Sequence, residues 1–481
     1  MPSPLELLHP DGRVRRVLVL GRQEAGSRLV PGAVSESQNA DLALIAPSRH
    51  ELRQRGWLER AAYAAAGGLA EHGLVYALVP RRSRHAARSH LRRAGLVLEP
   101  AFAQLPGRGM PRYLLPLLHA PWRHALSELI GAHPRARRVL RAAGAFPRGG
   151  SILAFALPSV GIVARRPGAA PLTGWIEGLG GGTRPTAHAV VATSWRASGG
   201  PVVLHCFAAG EPDPWGVAKV APQSATEARL LAELGEAARS AGARMPGLLA
   251  AGQVGDTPVL VETVVAGRPL AELLGSSPGR FLEVAGSLLQ WQERWNRATA
   301  AKHRLDASRL ESLVLGPASE LASELHDASA YRAWLAARCA SPDVAGIPSV
   351  ATHNDLTMWN VLLDERGSIG VLDWAEAERA GLPLTDFFYA LADAAAACDR
   401  YRSRLEAVRS CFERGGARTP AVAALEQRLS APLGLTTAAT ELCFHACWLR
   451  HALNEQRAGH ATERPFLEIV RWQARRALEQ A

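Results

Sequence analysis

The sequence predicts an α+β protein: a small α/β front piece, then an antiparallel-sheet lobe, then a mainly helical lobe. Three observations carry this. Over roughly the first 120 residues, short apolar runs alternate with helical stretches, the pattern of an α/β layer. Between residues 188 and 265, brief apolar runs are separated by turn-rich segments, as in an antiparallel meander. From residue 268 onward the apolar residues recur mostly at helical spacing.

Composition bounds the answer. A chain of 481 residues has room for about three domains. With 48% apolar and 21% charged residues it is neither disordered, collagenous nor coiled-coil. The net charge of +11 is uneven. Residues 1–150 carry 23 Arg against 10 acidic residues (+13), and residues 151–481 carry 32 basic against 34 acidic (−2). Of 55 basic residues only Lys219 and Lys302 are lysines. Coding bias in a GC-rich genome accounts for that ratio, and it makes each lysine informative, since arginine cannot act as a compact point charge.

Six cysteines (206, 339, 398, 411, 443, 447) lack framework spacing, which predicts free thiols in a reducing compartment. The start of the chain has no signal-peptide pattern. The longest apolar run, Ile152–Ala164, contains Pro158 and is shorter than the ~18–20 residues of a membrane span. The expectation is a cytoplasmic protein with no membrane partner.

The elements follow in order. Val14–Leu20 and Ala40–Ala46 read as strands, Leu52–Leu69 as a helix and His72–Pro80 as a buried strand. The next helix aligns Arg81, Arg84, Arg88 and Arg92 on one face, with Gly95 placed to cap it. Strands over 96–105 and 112–118 complete a front domain of residues 1–125, and 126–150 reads as an Arg/Pro/Gly-rich linker. The sheet lobe is assigned to 151–266. Its strands are His188–Trp195, Pro201–Ala208, Trp215–Val220 and a pair within Gly252–Val265, with a helix over Ala225–Gly242. The helical lobe, 267–481, is interrupted by one hairpin, Asn360–Leu363 and Ile369–Leu372.

That hairpin frames the chemistry. His353-Asn-Asp-Leu-Thr-Met-Trp-Asn360 precedes it, and Val371-Leu-Asp-Trp374 ends it. A hydroxyl nucleophile needs a carboxylate to orient it and take its proton, and divalent ions on nucleotide phosphates need fixed oxygen ligands. Asp355, Asn360 and Asp373 supply such groups. This H-x-D-x4-N…x12-D arrangement resembles the kinase-like phosphotransferases. H-N-D in place of H-R-D, Trp374 after the last Asp, and Gly381, Pro383 and Asp386 beyond make it similar to the aminoglycoside phosphotransferase and choline kinase branch.

The resemblance implies a bilobal kinase-like fold after residue 151, Mg²⁺, and ATP or GTP as co-substrate in the cleft between the lobes. It implies Asp355 as catalytic base, Asn360 and Asp373 as metal ligands, His353 as a loop-shaping member of the catalytic segment, and Asp386 as a structural anchor. The acceptor would be a small hydroxyl-bearing molecule such as an aminoglycoside, sugar or amino alcohol.

The nucleotide lobe can be sought independently. A cation must reach the phosphates from a central strand, held by a helix carboxylate. Lys219 ends the meander and Glu227 opens the next helix. Pro258–Leu270 resembles the hinge and linker of the same family, with backbone around Glu262–Val264 meeting the adenine. The phosphate-covering loop has two candidates, Arg196–Gly200 with Ser198, Gly199 and Gly200, and Gly178–Thr183; the meander order favours the first.

Residues 351–400 hold nine acidic and three basic residues. Outside the motifs the acids are Asp364, Glu365, Glu376, Glu378, Asp393 and Asp399, which read either as a solvated face or as an attraction for a cationic acceptor. The front piece is similar at fold level to the later half of a class I methyltransferase. Its first strand ends in Leu20-Gly-Arg-Gln-Glu-Ala-Gly26 without the usual G-x-G, so a non-catalytic relic is expected. The rival is an inactive kinase-like nucleotide-binding module with a basic anion- or nucleic-acid-binding front. Retention of Lys219, Asp355, Asn360 and Asp373 together argues against inactivity, and the absence of aromatic interleaving along the Arg face argues against nucleic acid.

Overall fold

The computed structural model describes residues 2–30, 33–36, 38–105, 112–125, 157–193, 201–242, 244–300, 304–459 and 464–480. The chain divides into two compact units, residues 1–228 with 248–264, and residues 229–247 with 265–481.

The first unit is built on one sheet. Its front strands are β1 (Arg16–Gly21), β2 (Val34–Ser35), β3 (Ala40–Ala46), β4 (Leu69–Pro80), β5 (Val97–Leu98), β6 (Phe102–Leu105), β7 (Tyr113–Pro116) and β8 (Ser159–Arg165). Then come β9 (His188–Thr193), β10 (Val202–Phe207), β11 (Gly216–Val220), β12 (Leu248–Val254) and β13 (Thr257–Glu262). They lie in the order β12-β13-β11-β10-β9-β7-β6-β8-β4-β3-β1-β2, with β5 beside β8.

β1 pairs in parallel with β2 and β3, and β3 with β4. Parallel neighbours need a crossover, and helix α1 (Trp57–Gly68) supplies the one from β3 to β4. It buries Ala61, Ala62 and Ala65 against Ala43, Ile45 and Val75. Small residues on that face let the helix approach the sheet closely. Helix α2 (Arg84–Arg93) stops where Gly95 takes a φ of +81°. The amide of Gly95 then reaches Arg92 O (3.0 Å) and that of Leu96 reaches Leu91 O (3.1 Å), closing the helix end. Arg84, Arg88 and Arg92 do share a face: burial, then the charges of Arg84 and Arg92, hold the Arg88 guanidinium below its ordinary value. Arg81 belongs to a separate short turn, Arg81–Ser83.

Two expectations change here. Ser159–Arg165, assigned from sequence to the sheet lobe, lies in the front sheet between β4 and β6, antiparallel to β4 from Leu74↔Arg165 to Pro80↔Ser159. Val160–Ala164 are all buried, as a strand covered on both faces requires. The front piece and the sheet lobe are also not separate sheets. β7 pairs with β9 through Tyr113↔Ala192 and Leu114↔Val191, and the Thr193 amide donates to Arg112 O at 2.8 Å. The proposed linker 126–150 lies outside the described residues.

The antiparallel run β9–β10–β11–β13–β12 is the expected nucleotide-lobe sheet, and helix α3 (Ser224–Ser240) follows β11. The second unit is mainly helical. Its small sheets are β14 (Arg268–Pro269) with β16 (Val361–Leu363) and β17 (Ile369–Val371), and β15 (Val350–Thr352) with β18 (Glu378–Gly381). Among its helices are α4 (Phe281–Thr299), α5 (Ala328–Cys339), α6 (Thr385–Cys398), α7 (Arg404–Phe412), α8 (Thr419–Ser430), α9 (Thr437–Arg457) and α10 (Pro465–Glu479). The kinase-like plan, an antiparallel-sheet lobe ahead of a helical one, is thus the plan of the structure.

Helix α6 is buried from Asp386 to Cys398, which makes it the axis of the helical unit. Beside it Trp291 stacks on Trp295 (5.7 Å) and Trp295 meets Trp374 (5.3 Å). Trp295 Nε1 donates to Ala351 O at 2.7 Å, tying α4 to β15. The six cysteines are free thiols, and Cys443 and Cys447 are core residues. No described helix is long and apolar enough to cross a membrane.

At Gly161 a Cβ would lie 2.3 Å from the Tyr76 hydroxyl oxygen and 2.6–2.8 Å from its ring. Gly161→Val should therefore destabilise the first unit by about 1–3 kcal/mol through overpacking, read as a lower denaturation midpoint in urea.

Candidate active site

The segment 353–360 leaves β15 and is held from beneath by α6. The Asp386 carboxylate accepts the backbone amides of His353 (2.7 Å) and Asn354 (2.8 Å). One turn on, Tyr389 donates its hydroxyl to Asp355 Oδ1 at 3.4 Å. A turn further, Asp393 accepts the Met358 amide at 2.7 Å. Asp393 is itself fully buried, and is compensated by Arg404 (2.7 Å) and the Tyr401 hydroxyl (3.1 Å). Positions 386, 389 and 393 fall on one helix face, so a single rigid element sets the whole loop. Asn354 takes a left-handed φ of +63°, which Asn tolerates. Its Nδ2 donates to Glu376 O at 3.0 Å.

His353 has no solvent exposure. Its Nε2 lies 2.8 Å from Leu372 O, and its Nδ1 accepts the Asp355 amide at 3.3 Å. One tautomer, with the proton on Nε2, satisfies both. The ring also packs edge-on against Trp374 (4.8 Å). These contacts go to backbone and core, so His353 shapes the loop and ties it to the end of the hairpin.

Asn360 Nδ2 donates to both the carbonyl oxygen (2.9 Å) and Oδ2 (3.0 Å) of Asp355. The amide donors are thus directed at Asp355, and Oδ1 is the atom suited to a cation. Asn360 O accepts the Leu372 amide at 2.8 Å. Asp373, the next residue, is exposed and held at a φ of +60°. Asp355, Asn360 and Asp373 are therefore gathered at one place. Among the described residues no group of three or more His, Cys, Asp or Glu side chains could hold a metal alone. The Asn360 amide oxygen and the Asp373 carboxylate nevertheless suit Mg²⁺, a hard cation that draws further ligands from phosphate and water.

Burial pushes the Asp355 carboxyl up to about 7; the charges of Asp373 and Asp393 add to this, and the Asn360 hydrogen bond opposes it. Burial likewise raises Asp386, opposed by His353 and the two amides it receives.

In the first unit, Lys219 Nζ lies 2.6 Å from Glu227 Oε1 and 3.1 Å from Glu262 Oε1. Glu227 was expected. Glu262 was expected to offer backbone at the hinge, and its side chain is what meets the lysine. The β11–β13 register explains this: Lys219 stands opposite Leu260, so Glu262 is its diagonal neighbour on the same face. Val264 follows the end of β13 and is 41% exposed. Ser198, Gly199 and Gly200 lie outside the described residues. The alternative segment has a packing reason for its glycines: a Cβ on Gly181 would lie 2.2 Å from Leu249 O, and the Gly182 amide donates to that carbonyl at 3.0 Å.

The acidic stretch is corrected in one respect. Asp364 pairs with Arg244 (3.3 Å), Asp393 with Arg404, Glu378 with both Arg309 (2.7 Å) and Arg450 (2.5 Å), and Glu376 loosely with Arg450 (3.9 Å). Four of the six extra acids are thus compensated. Sequence reasoning missed Tyr389, Arg404, Arg309 and Arg450. The seven-residue spacing from Asp386 to Asp393 was the signal that placed both on one face of α6.

Residues 210–421 match the model of the phosphotransferase enzyme family (APH). No curated protein matches the chain. Among solved structures the chain is similar to a thermostable mutant of aminoglycoside phosphotransferase APH(4)-Ia in ternary complex with ADP and hygromycin B. The identity there is 14%, over 63% of this chain and 95% of that one, with a TM-score of 0.42. Aminoglycoside phosphotransferase APH(3'')-Id from Streptomyces rimosus gives 17%, 53%, 90% and 0.34 in the same order. A choline/ethanolamine kinase family protein from Mesorhizobium loti gives 16%, 62%, 88% and 0.33. At such TM-scores the structural likeness adds no functional argument, and the family match is what bears on function.

Two outcomes follow. Asp386→Ala leaves two buried amides without an acceptor and should cost about 3 kcal/mol, measured by denaturant unfolding. Asp355 binds its proton more tightly folded (about 7) than at its ordinary 3.8. The stability it contributes is full below pH ~4 and is lost as pH rises to ~7. In metal-free protein Asp355→Asn should therefore raise stability at pH 8 by on the order of 3 kcal/mol and by much less at pH 4.

Proposed function

We propose that the chain is a small-molecule O-phosphotransferase that moves the γ-phosphate of ATP or GTP to an acceptor hydroxyl. The observation that carries this reading is the family match over 210–421, which contains Lys219, Asp355, Asn360 and Asp373. Asp355 would orient the acceptor hydroxyl and take its proton as the oxygen bonds to the γ-phosphorus and the bond to the departing diphosphate breaks. A carboxyl raised by burial is poised for that exchange near neutral pH. Tyr389 and Asn360 grip the two carboxylate oxygens and fix their direction. Lys219, compensated by Glu227 and Glu262, would hold the nucleotide phosphates. Asn360 Oδ1 and the Asp373 carboxylate would hold Mg²⁺, which neutralises phosphate charge. Most of the rate would come from positioning and charge stabilisation.

For the front piece we read a truncated methyltransferase-like sheet without a working cofactor site. In support, parallel β1, β3 and β4 are followed by antiparallel β8 and β6, and Gly21 at the end of β1 packs against Ala46. A Cβ on Gly21 would lie 2.5 Å from Ala46 O, so that glycine answers to the neighbouring strand rather than to a ligand.

Asp355→Ala should lower phosphate transfer at least about a thousandfold while Mg·ATP still shifts the melting temperature as in wild type. Asp373→Ala should abolish that Mg²⁺-dependent shift. Normal turnover by Asp355→Ala in a labelled-ATP assay would falsify the assignment.

A further inference from the structure

A cavity of about 280 Å³ opens beside Asn354, the residue before the proposed base, and its charged lining is Arg309, Arg450, Arg457, Glu320, Glu376 and Glu378. Three positive and three negative charges therefore face it. They are paired. Arg309 Nη2 lies 2.7 Å from Glu378 Oε2, Arg450 Nη1 lies 2.5 Å from Glu378 Oε1, and Arg457 Nη2 lies 2.9 Å from Glu320 Oε1. Glu376 is the loosest member, 3.9 Å from Arg450 and about half exposed.

The guanidinium groups are also pinned to backbone. Arg309 donates to Ala380 O through Nε (3.2 Å) and Nη2 (2.8 Å), and Arg450 Nη2 donates to Glu376 O at 3.2 Å. That last carbonyl also receives Asn354 Nδ2, so the arrangement is continuous with the loop that carries Asp355.

A polycation gains affinity from carboxylates that lack partners. Here an ammonium group would have to displace a guanidinium from Glu378, leaving a partly shielded arginine, above all Arg450, uncompensated; the solvent-exposed Arg457–Glu320 pair adds little. A hydroxyl needs no such exchange. It donates to a free carboxylate lone pair or accepts from a free N–H while every ion pair stays intact. We propose that this arginine-compensated wall selects an uncharged, polyhydroxylated acceptor of the sugar class and excludes polycationic amino-sugars. The inference rests on the phosphotransferase reading for its chemistry, whereas the charge balance stands without it.

Two experiments on the full chain test it. In equilibrium dialysis at low salt with the polycation neomycin, wild type should show no saturable binding. Arg309→Gln or Arg450→Gln should gain salt-sensitive binding at least about tenfold tighter than wild type, with Glu378 then available. Circular dichroism and Mg·ATP binding verify that both variants fold. Saturable neomycin binding by wild type that is lost in Glu376→Gln, or no gain in either folded arginine variant, would overturn the proposal.

The second experiment offers labelled ATP with a metabolite extract split by cation and anion exchange. Label should enter a product from the fraction retained by neither resin. A product arising only from the cation-retained fraction would overturn the proposal. Absence of product from every fraction counts against phosphate transfer itself, and the neomycin result still decides the charge question.

Discussion

The helical unit depends on the capture of two backbone amides, those of His353 and Asn354, by the buried carboxylate of Asp386. A left-handed residue at the exit of a strand has no ladder partner for its amide, and burial forbids water. Without an acceptor from α6 the chain could not turn there. Once that turn is made, Tyr389 and Asp393 on the same helix face meet Asp355 and Met358 without further rearrangement. Asp355, the tyrosine that donates to it and the far end of the loop are therefore indexed to one helix. That helix is rigid because it is enclosed along nearly its whole length. Arg404 and Tyr401 complete the arrangement by compensating Asp393, which would otherwise be an isolated charge in the core.

A second constraint organises the first unit. Lys219 is held between two carboxylates, one from the helix after its strand and one from the adjacent strand. A lysine between two acids is held in one direction by both. Both carboxylates are nearly inaccessible to solvent, so the lysine's direction is set by strand register and helix start together.

How much of this was legible in the sequence depended on distance along the chain. His353, Asp355, Asn360 and Asp373 lie within 21 residues and are joined by one short hairpin, so their spacing alone brings them together. Lys219 and Glu227 are eight residues apart, and the same holds. What escaped was long-range. Glu262 reaches Lys219 only through strand register, and Arg309 and Arg450 reach Glu378 from 69 and 72 residues away. Counting charges in a window therefore registered the acids and missed their partners. The placement of β8 escaped for a related reason: a short apolar strand carries no mark of which neighbour it will join. Its apolar run was visible in the sequence, but nothing in it says which strands it will lie between.

The pairing of β7 with β9 has an evolutionary consequence. The junction between the front piece and the β9–β13 sheet combines backbone hydrogen bonds with a shared side-chain core, in which Trp122 packs with Val190 and Phe207 and His124 meets His205 at 3.0 Å. The backbone part is indifferent to most side-chain changes. Substitutions away from that shared core can accumulate over the front sheet, and any ligand site there can decay, without breaking those backbone bonds. Deleting the front would instead strip one edge of β9 and leave a row of unpaired amides and carbonyls open to other chains. Such a junction works as a ratchet: hard to lose once β9 has come to rely on β7 as the neighbour that covers its edge.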